Sequence, residues 1–145
     1  MEKIQLITSA ETFSVRHPVL RPGKPIESCR FEGDDLTTTI HLGLFKEDHL
    51  IGIISIFEIK SALFNDERQF QLRGMAVLEE HQRKGFGEKL VHHAEEYLKS
   101  KNASLIWFNA RLVAVEFYKR LGYTIIGEAF TIENIGLHYV MFKKI

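Results

Sequence analysis

The chain has 145 residues, of which 45% are hydrophobic and 26% are charged, and its 19 basic side chains balance 19 acidic ones. This length and composition predict one folded domain, residues 1–145, and exclude a disordered or low-complexity chain. The zero net charge excludes a broad polyanion-binding surface, so we expect no nucleic-acid partner.

The first part of the chain predicts a strand, a helix and a hairpin. Residues 3–7 form a short alternating segment, and residues 11–20 have helical potential that Pro18 limits. Residues 37–45 and 50–59 are rich in β-branched side chains and flank a polar turn, as in a β-hairpin.

Gln69–Val77 is predicted as the next strand, followed by a helix whose apolar residues recur at helical spacing between residues 85 and 99. Alternation places the strand's side chains on two faces, Phe70 and Leu72 on one and Gln71, Arg73 and Met75 on the other.

The last part of the chain predicts a short buried strand, a second helix and two further strands. These elements are residues 104–108, 111–120, 123–126 and 137–142, and Gly122 ends the helix. Because a helix connects residues 69–77 to 104–108, these two strands should run parallel in a mixed sheet.

A glycine-rich turn joins the predicted strand to the first long helix, with the sequence Gln82-Arg83-Lys84-Gly85-Phe86-Gly87. A helix start leaves backbone N–H groups unpaired and carries partial positive charge, which suits a phosphate. Two glycines remove Cβ atoms that would keep an anion away, and two basic side chains add charge. The turn lacks the third glycine of a dinucleotide-binding fingerprint and the Gly-Lys-Ser/Thr of a P-loop. A purely structural turn remains an alternative.

Together with Arg73-Gly74-Met75-Ala76-Val77, this turn resembles the acyl-CoA pyrophosphate loop of the GNAT superfamily of N-acetyltransferases. The second motif of that family is similar to Asn109-Ala110-Arg111, Ala114, Phe117-Tyr118-Lys119 and Leu121-Gly122-Tyr123, in the expected order. The resemblance covers nearly the whole chain. Residues 19–23 and 135–141 further resemble a small bacterial branch, the ElaA-like or YjcF-like acetyltransferases.

The resemblance implies an α/β (α+β) fold with a mixed, mostly antiparallel central sheet, a parallel splayed strand pair and flanking helices. It also implies transfer of an acetyl group from acetyl-CoA to a primary amine of a small molecule or peptide, by direct attack in a ternary complex. Acetyl-CoA and the amine are the expected partners, and no metal is expected. The protein is expected to be a monomer or a homodimer.

The resemblance implies that coenzyme A is held by backbone or side-chain groups of Met75, Ala76, Val77, Gln82, Arg83, Lys84, Gly85, Phe86, Gly87, Glu88, Asn109, Ala114, Phe117 and Lys119. Some of these residues have simpler explanations. Asn109 could cap a helix beginning near Arg111, Phe117 fits a core position, and Lys119 fits an exposed charge.

Tyr118 matches the family tyrosine that donates a proton to the departing CoA thiolate. A phenol with a pKa of ~10 is protonated at neutral pH and can stabilise a thiolate whose conjugate acid has a pKa of ~8.5. An aromatic residue that fills the core is the alternative.

The general base and the acceptor site are less defined. Many family members use a glutamate on the fourth strand, where this chain has Gln69, Gln71 and Arg73. Candidate bases by position are His41, Glu58, Glu80 and His138, but each one taken separately is better explained as an exposed or packed polar residue. The acceptor is expected against residues 16–31, the hairpin face and the last strands, with Arg16, Glu58 and His138 as contacts.

The charge distribution also bears on the acceptor. Residues 1–60 carry 7 basic and 9 acidic side chains, a slight acidity compatible with a cationic amine.

Two other functions use the same features. A non-catalytic acyl-CoA-binding sensor would keep the turn, but it would not need Tyr118. A nucleotide-binding or structural domain explains Tyr118 poorly.

The single cysteine, Cys29, excludes an internal disulfide and has no apparent histidine partner for a ping-pong mechanism. No secretory signal and no run of about 18 apolar residues is present, so we expect a cytoplasmic protein without a membrane partner.

Overall fold

The chain folds around one seven-stranded sheet, and the computed structural model describes all residues 1–145. The strands are β1 (Glu2–Ile7), β2 (Ile40–Lys46), β3 (His49–Phe57), β4 (Gln69–Val77), β5 (Leu105–Arg111), β6 (Thr124–Ile132) and β7 (Gly136–Lys144). They lie in the order β1-β2-β3-β4-β5-β7-β6. All neighbours are antiparallel except β4 and β5, as the sequence predicted.

Three α-helices flank this sheet: α1 (Phe13–Leu20), α2 (Phe86–Ser100) and α3 (Val115–Arg120). Single 3-10 turns lie at Ala10–Thr12, Ile26–Cys29, Glu79–His81 and Leu112–Ala114. The longest helix, α2, has 15 residues, and none of the helices is both long and apolar enough to cross a bilayer.

The predicted hairpin is confirmed as β2 and β3, joined by a two-residue turn. Glu47 and Asp48 have φ angles of 49° and 67°. Positive φ at both central residues is the type I′ geometry, whose twist matches that of the flanking strands.

The helices pack on opposite faces of the sheet. Leu90 and Val91 of α2 share the main apolar core with Leu72 of β4. On the other side, Val15 of α1 packs with Ile53 and Ala76. We call these sides the α2 face, which α3 also covers, and the α1 face.

A bulge in β4 changes which face its last residues occupy. Ile53 pairs with Ala76 and Ser55 pairs with Arg73, so one residue of β3 opposes two residues of β4. Gly74 in this bulge has a φ of 63°, a conformation that glycine adopts without strain. The extra residue turns Met75 to the α2 face, where it packs against the main core. The predicted placement of Met75 beside Gln71 and Arg73 was therefore wrong.

The parallel pair separates soon after it begins. Gln69–Gln71 pair with residues 105–107, and no pairing between β4 and β5 follows. Strand β5 nevertheless stays paired with β7 as far as Arg111 and His138. The sheet is consequently split between the second half of β4 and the second half of β5.

The predicted helix over residues 111–120 begins too early. Strand β5 continues to Arg111 because it remains paired with β7, and a 3-10 turn follows before α3 starts at Val115. Pairing between distant strands has overridden the local helical pattern. Pairing between β6 and β7 likewise makes both of these strands longer than predicted.

Candidate active site

A cavity of about 360 Å³ occupies the split and is lined from both faces of the sheet. On the α2 face its lining includes Leu72, Met75, Phe108, Ala110, Ala114 and Tyr118. On the α1 face it includes Arg21, Phe31, Gln71, Arg73, Asn109, Arg111 and His138. Because strand side chains alternate, Asn109 and Arg111 point away from the core face that Phe108 and Ala110 occupy. Two molecules could meet in this cavity from opposite sides of the sheet.

The glycine-rich turn lies where α2 begins, on the same face as Tyr118. Gly85 is the N-cap residue with a φ of 84°, and no side chain caps the helix. Lys89 N donates the first helical bond, to the carbonyl of Gly85 at 3.2 Å. The amides of residues 86–88 therefore have no partner within the helix and are free for an anion.

The side chains of the turn have different surroundings. Gln82 Nε2 donates to the carbonyl of Val77 at 2.8 Å, which fastens the turn to the end of β4. Arg83, Lys84 and Glu88 are exposed. Phe86 is buried in the core, so only its backbone can face a ligand.

Of the four coenzyme A residues predicted from position 109 onward, three lie at or beside the cavity. Asn109 and Ala114 line it, while Phe117 is partly buried against the core near Gly87. Asn109 lies within β5, so the alternative that it caps a helix is wrong. Lys119 does not line the cavity; it is exposed and its Nζ lies 3.8 Å from a carboxylate oxygen of Glu116.

Tyr118 lines the cavity from α3 and is held by other aromatic rings. Its ring centroid lies 4.3 Å from that of Phe108 and 5.0 Å from that of Phe117. Burial raises the pKa of Tyr118 to about 12. The phenol is therefore protonated at neutral pH and is positioned by packing.

Arg16 is a structural residue, which corrects its prediction as an acceptor contact. Its guanidinium is fully buried and donates to both carboxylate oxygens of Asp34 at 2.6 and 3.0 Å. It also donates to the carbonyl of Cys29 at 2.8 Å and to Ser55 Oγ at 3.0 Å. These bonds leave it no access to a ligand, but they hold the segment that carries Phe31 over the cavity.

His41 belongs to the same buried cluster and is not available as a base. Its Nδ1 lies 2.7 Å from Ser55 Oγ, and its Nε2 lies 2.9 Å from the carbonyl of Asp34. Glu58 and Glu80 do not line the cavity. Glu58 is exposed beside Arg68, near the closed end of the β4–β5 pair.

His138 is the one candidate base that the fold brings to the cavity. Its ring is buried, and Nδ1 lies 2.8 Å from the carbonyl of Gly136. A carbonyl only accepts, so Nδ1 carries the proton and the neutral ring has its lone pair on Nε2. No bond within the chain engages Nε2.

The cavity also contains groups that the motifs did not predict. Arg21, Arg73 and Arg111 line it, and no aspartate or glutamate does. Phe31 lies between Arg16, Arg21 and Arg73, with its ring centroid 3.9, 5.5 and 5.0 Å from their guanidinium carbons. Alternation along β4 correctly placed Arg73 on the face of Gln71, but no local signal gave Arg21, Phe31 or Arg111 a role in the site.

A mixed sheet split at its parallel pair, with an open helix N-terminus beside the split, defines the class of acyl-CoA-dependent acyltransferases. Comparison with known proteins gives the family. The model of the acetyltransferase (GNAT) family matches residues 6–123, and the chain belongs to that family. As a member it is an acyl-CoA-dependent acetyltransferase.

Relatives and solved structures agree with this assignment. The chain is 35% identical over 145 residues to the uncharacterized N-acetyltransferase YitI of Bacillus subtilis, covering 100% of this chain and 97% of that one. An aminoglycoside 6'-N-acetyltransferase in complex with coenzyme A shares the fold with a TM-score of 0.77 at 15% identity, over 98% and 96% of the two chains. Escherichia coli ElaA has a TM-score of 0.75 at 19% identity, over 99% of each chain. The branch within the superfamily stays a prediction.

Proposed function

We propose that this protein transfers the acetyl group of acetyl-CoA to a primary amine of a small molecule or peptide, in a ternary complex. The observation that carries the proposal is the cavity through the split sheet, with Tyr118 on the α2 face and His138 on the α1 face. One substrate can enter from each side, and their reacting atoms then meet between β4 and β5.

The residues of the α2 face fit coenzyme A. The open amides of residues 86–88, with Arg83 and Lys84 beside them, would hold its pyrophosphate. Beyond Gln71, β4 has no partner strand on the side of the split, so the backbone of Met75 and Val77 would bond the pantetheine amides as a neighbouring strand would. Acetyl-CoA supplies an acetyl group activated as a thioester.

Direct transfer agrees with the side chains at the cavity. No serine, threonine, cysteine or lysine lines it, so the usual nucleophiles for an acyl-enzyme are missing. Cys29 is fully buried away from it, and burial raises the pKa of its thiol. A buried, unpaired thiol also suits a reducing cytoplasm, where we place the reaction.

Two side chains would move the protons. His138 Nε2 accepts a proton from the amine as the amine nitrogen bonds to the acetyl carbon. The carbon–sulfur bond breaks, and Tyr118 donates its phenolic proton to the departing sulfur. Solvent then takes the proton from His138 and restores the one on Tyr118, so the net products are an amide and coenzyme A.

Release of coenzyme A thiol, measured with acetyl-CoA and a panel of amines, tests the proposed function. Release that depends on a particular amine supports transfer. Tight acetyl-CoA binding without release by any amine would instead favour the sensor alternative. A rise in melting temperature with ATP or NAD but not with acetyl-CoA would contradict both.

We expect Gly87→Val to raise the Kd for acetyl-CoA at least about tenfold, a change of ~1.4 kcal/mol. A Cβ here would lie 3.5 Å from the side chains of Met75 and Phe117, an ordinary contact, so alanine fits, and we expect the two further methyls of valine to crowd these side chains. Those methyls would press on Met75 and cover the open amides. Calorimetric titration with acetyl-CoA measures the effect.

Gly87→Ala is the matched control and should change the Kd for acetyl-CoA much less. Both variants should unfold cooperatively, since Gly87 lies in the first turn of α2 and in only ordinary contact with its neighbours. Undiminished affinity in Gly87→Val would remove this turn from the coenzyme A site.

We expect His138→Ala to lower turnover by about a hundredfold, the range of a lost general base, and added imidazole to restore part of it. Imidazole can enter the space that the truncated side chain leaves beside the cavity. Initial rates with and without imidazole measure this. His93→Ala, an exposed histidine on α2, is the control and should match the wild type. Full activity of His138→Ala would show that His138 is not the general base and that water takes the proton of the amine.

A further inference from the structure

We infer that the acceptor is an amine that also carries an anionic group, a carboxylate or a phosphate, which arginines on the α1 face of the cavity bind. This inference rests on the proposed function and names the substrate class for it. It replaces the cationic amine that the slight acidity of residues 1–60 suggested.

Arg73 provides the first argument. It is half-buried on β4 beside the split, and its guanidinium carbon lies 5.0 and 5.1 Å from the ring centroids of Phe31 and Phe57. Its guanidinium makes no hydrogen bond and no ion pair within the chain, and none of the guanidinium nitrogens is enclosed by protein. The guanidinium is therefore oriented by aromatic contacts and open to the cavity. Burying a charge without a partner is costly, so an anionic ligand would stabilise this arrangement.

The burial of Arg73 has an electrostatic consequence. Burial lowers the pKa of its guanidinium, while the charges of Asp34 and Glu32 raise it and those of Arg16 and Arg21 lower it. Neither carboxylate lines the cavity. Asp34 is already bonded twice by Arg16, and Glu32 is exposed.

Two more arginines face the same space from other elements. Arg21 follows α1, and its guanidinium makes one hydrogen bond, to the carbonyl of Leu20 at 3.1 Å. Arg111 ends β5, pairs with His138 across the sheet and makes no ion pair. The cavity thus has three guanidinium groups and no carboxylate in its lining. Guanidinium groups bind carboxylate and phosphate with two parallel hydrogen bonds, which would fix the acceptor's orientation.

The position of these arginines separates them from the pyrophosphate site. Arg73 and Arg111 point to the α1 face, whereas the open amides of α2, with Arg83 and Lys84, lie on the other face. An amine whose anionic group binds Arg73 and Arg111 would have its nitrogen near His138, since His138 and Arg111 are paired residues. Nearby positive charge also disfavours protonation of that amine, which keeps it nucleophilic. A polyamine or aminoglycoside would meet only like charge.

Matched pairs of amines test this inference by release of coenzyme A. One comparison is between amino acids and their amides, and the other is between glucosamine 6-phosphate and glucosamine. In at least one of these comparisons, we expect the kcat/KM of the anionic amine to be at least about tenfold higher. The comparison that shows the preference distinguishes a carboxylate acceptor from a phosphate acceptor. Preference for the amides, for glucosamine or for spermidine would overturn the inference.

Two variants connect this preference to the arginines. Arg73→Met and Arg111→Met should each remove most of the preference while leaving the Kd for acetyl-CoA within about twofold. Arg111 is exposed, so its substitution tests the inference even where Arg73→Met folds poorly. Arg120→Met, an exposed arginine on α3 outside the cavity, is the matched control and should keep the preference.

A binding measurement keeps this inference separate from the proposed function. In calorimetric titrations, the complex of the protein with coenzyme A should bind N-acetylated amino acids or N-acetylglucosamine 6-phosphate more tightly than it binds their uncharged counterparts. The difference is expected because Arg111 contacts the anionic group. Tighter binding of the charged compounds without turnover of any amine would contradict the proposed transfer but support the anion site. Equal binding of charged and uncharged compounds would overturn the anion site.

Discussion

Tyr118→Phe is expected to lower turnover by about 10²- to 10⁴-fold, the range of a lost general acid, and to leave the Kd for acetyl-CoA within about twofold. The ring makes the packing contacts with Phe108 and Phe117, and phenylalanine keeps that ring. Only the hydroxyl that faces the cavity is lost. Initial rates of thiol release at saturating acetyl-CoA, together with calorimetric titration, separate the two effects.

The matched control is Tyr97→Phe, which removes a hydroxyl from α2 outside the cavity and should not change turnover. Unchanged turnover in Tyr118→Phe would show that the thiolate leaves without this proton and would exclude Tyr118 from the mechanism.

The pH dependence gives a second check on Tyr118. Burial raises its pKa to about 12, so the phenol keeps its proton up to about pH 11 and should cause no loss of rate below that pH. In the unfolded chain a tyrosine ionises near pH 10. Between about pH 10 and 12 the unfolded state therefore loses a proton that the folded state keeps, and stability falls as the pH rises. Tyr118→Phe should weaken this fall in urea unfolding experiments.

The turn at the start of α2 could be predicted from sequence because its requirements are local. Gly85 has a positive φ and caps the helix, and Gly87 leaves room beside Met75 and Phe117. Glycines at fixed spacing meet both of these requirements, so a short segment of sequence is enough to predict the turn. The order of strands and helices was predictable for the same reason, from the change of hydrophobic period along the chain.

The bulge in β4 shows why alternation alone could not place the site. One extra residue at Gly74 moves Met75 to the opposite face. The alternating pattern of the strand does not indicate this bulge, and the glycine is its only signal in the sequence. The side-chain roles on the α1 face depend on distant partners. Arg16 looked like an acceptor contact because its partners Asp34 and Ser55 lie 18 and 39 positions further along the chain.

Local charge in the cavity was equally hidden. The slight acidity of residues 1–60 comes from carboxylates that the fold leaves exposed or pairs, such as Glu58 and Asp34. The arginines that line the cavity come from three separate elements, and only the folded sheet brings them together. Net charge over a half-chain therefore says little about the charge of a site that both halves build.

The second large effect is expected from the buried pair of Arg16 and Asp34. Asp34→Ala should destabilise the fold by about 3–5 kcal/mol at pH 7, because it leaves Arg16 charged and unpaired where both side chains are at most 1% exposed. Urea unfolding followed by circular dichroism measures this change. The same variant should weaken turnover, since the pair holds the segment that carries Phe31 over the cavity.

Asp35→Ala is the matched control one residue away. Its ion pair with Arg30 is mostly exposed, with side chains 62% and 63% accessible, so its loss should cost no more than about 1 kcal/mol. A double variant, Arg16→Met with Asp34→Leu, removes both charges and should recover much of the lost stability, since neither charge is then buried alone.

The pair also predicts how stability changes with acid. Burial alone would raise the pKa of Asp34, but hydrogen bonds from Arg16 and from the Phe31 amide, with the charge of Arg16, outweigh it and lower that pKa. The folded state thus favours the ionised form of Asp34 more than the unfolded chain does. Its contribution is present above the unfolded pKa of about 3.9 and is lost as the pH falls through the folded value. The wild type should therefore lose stability relative to the double variant as the pH falls below about 4. An unchanged difference between their free energies of unfolding would show that the fold does not favour the charged form of Asp34.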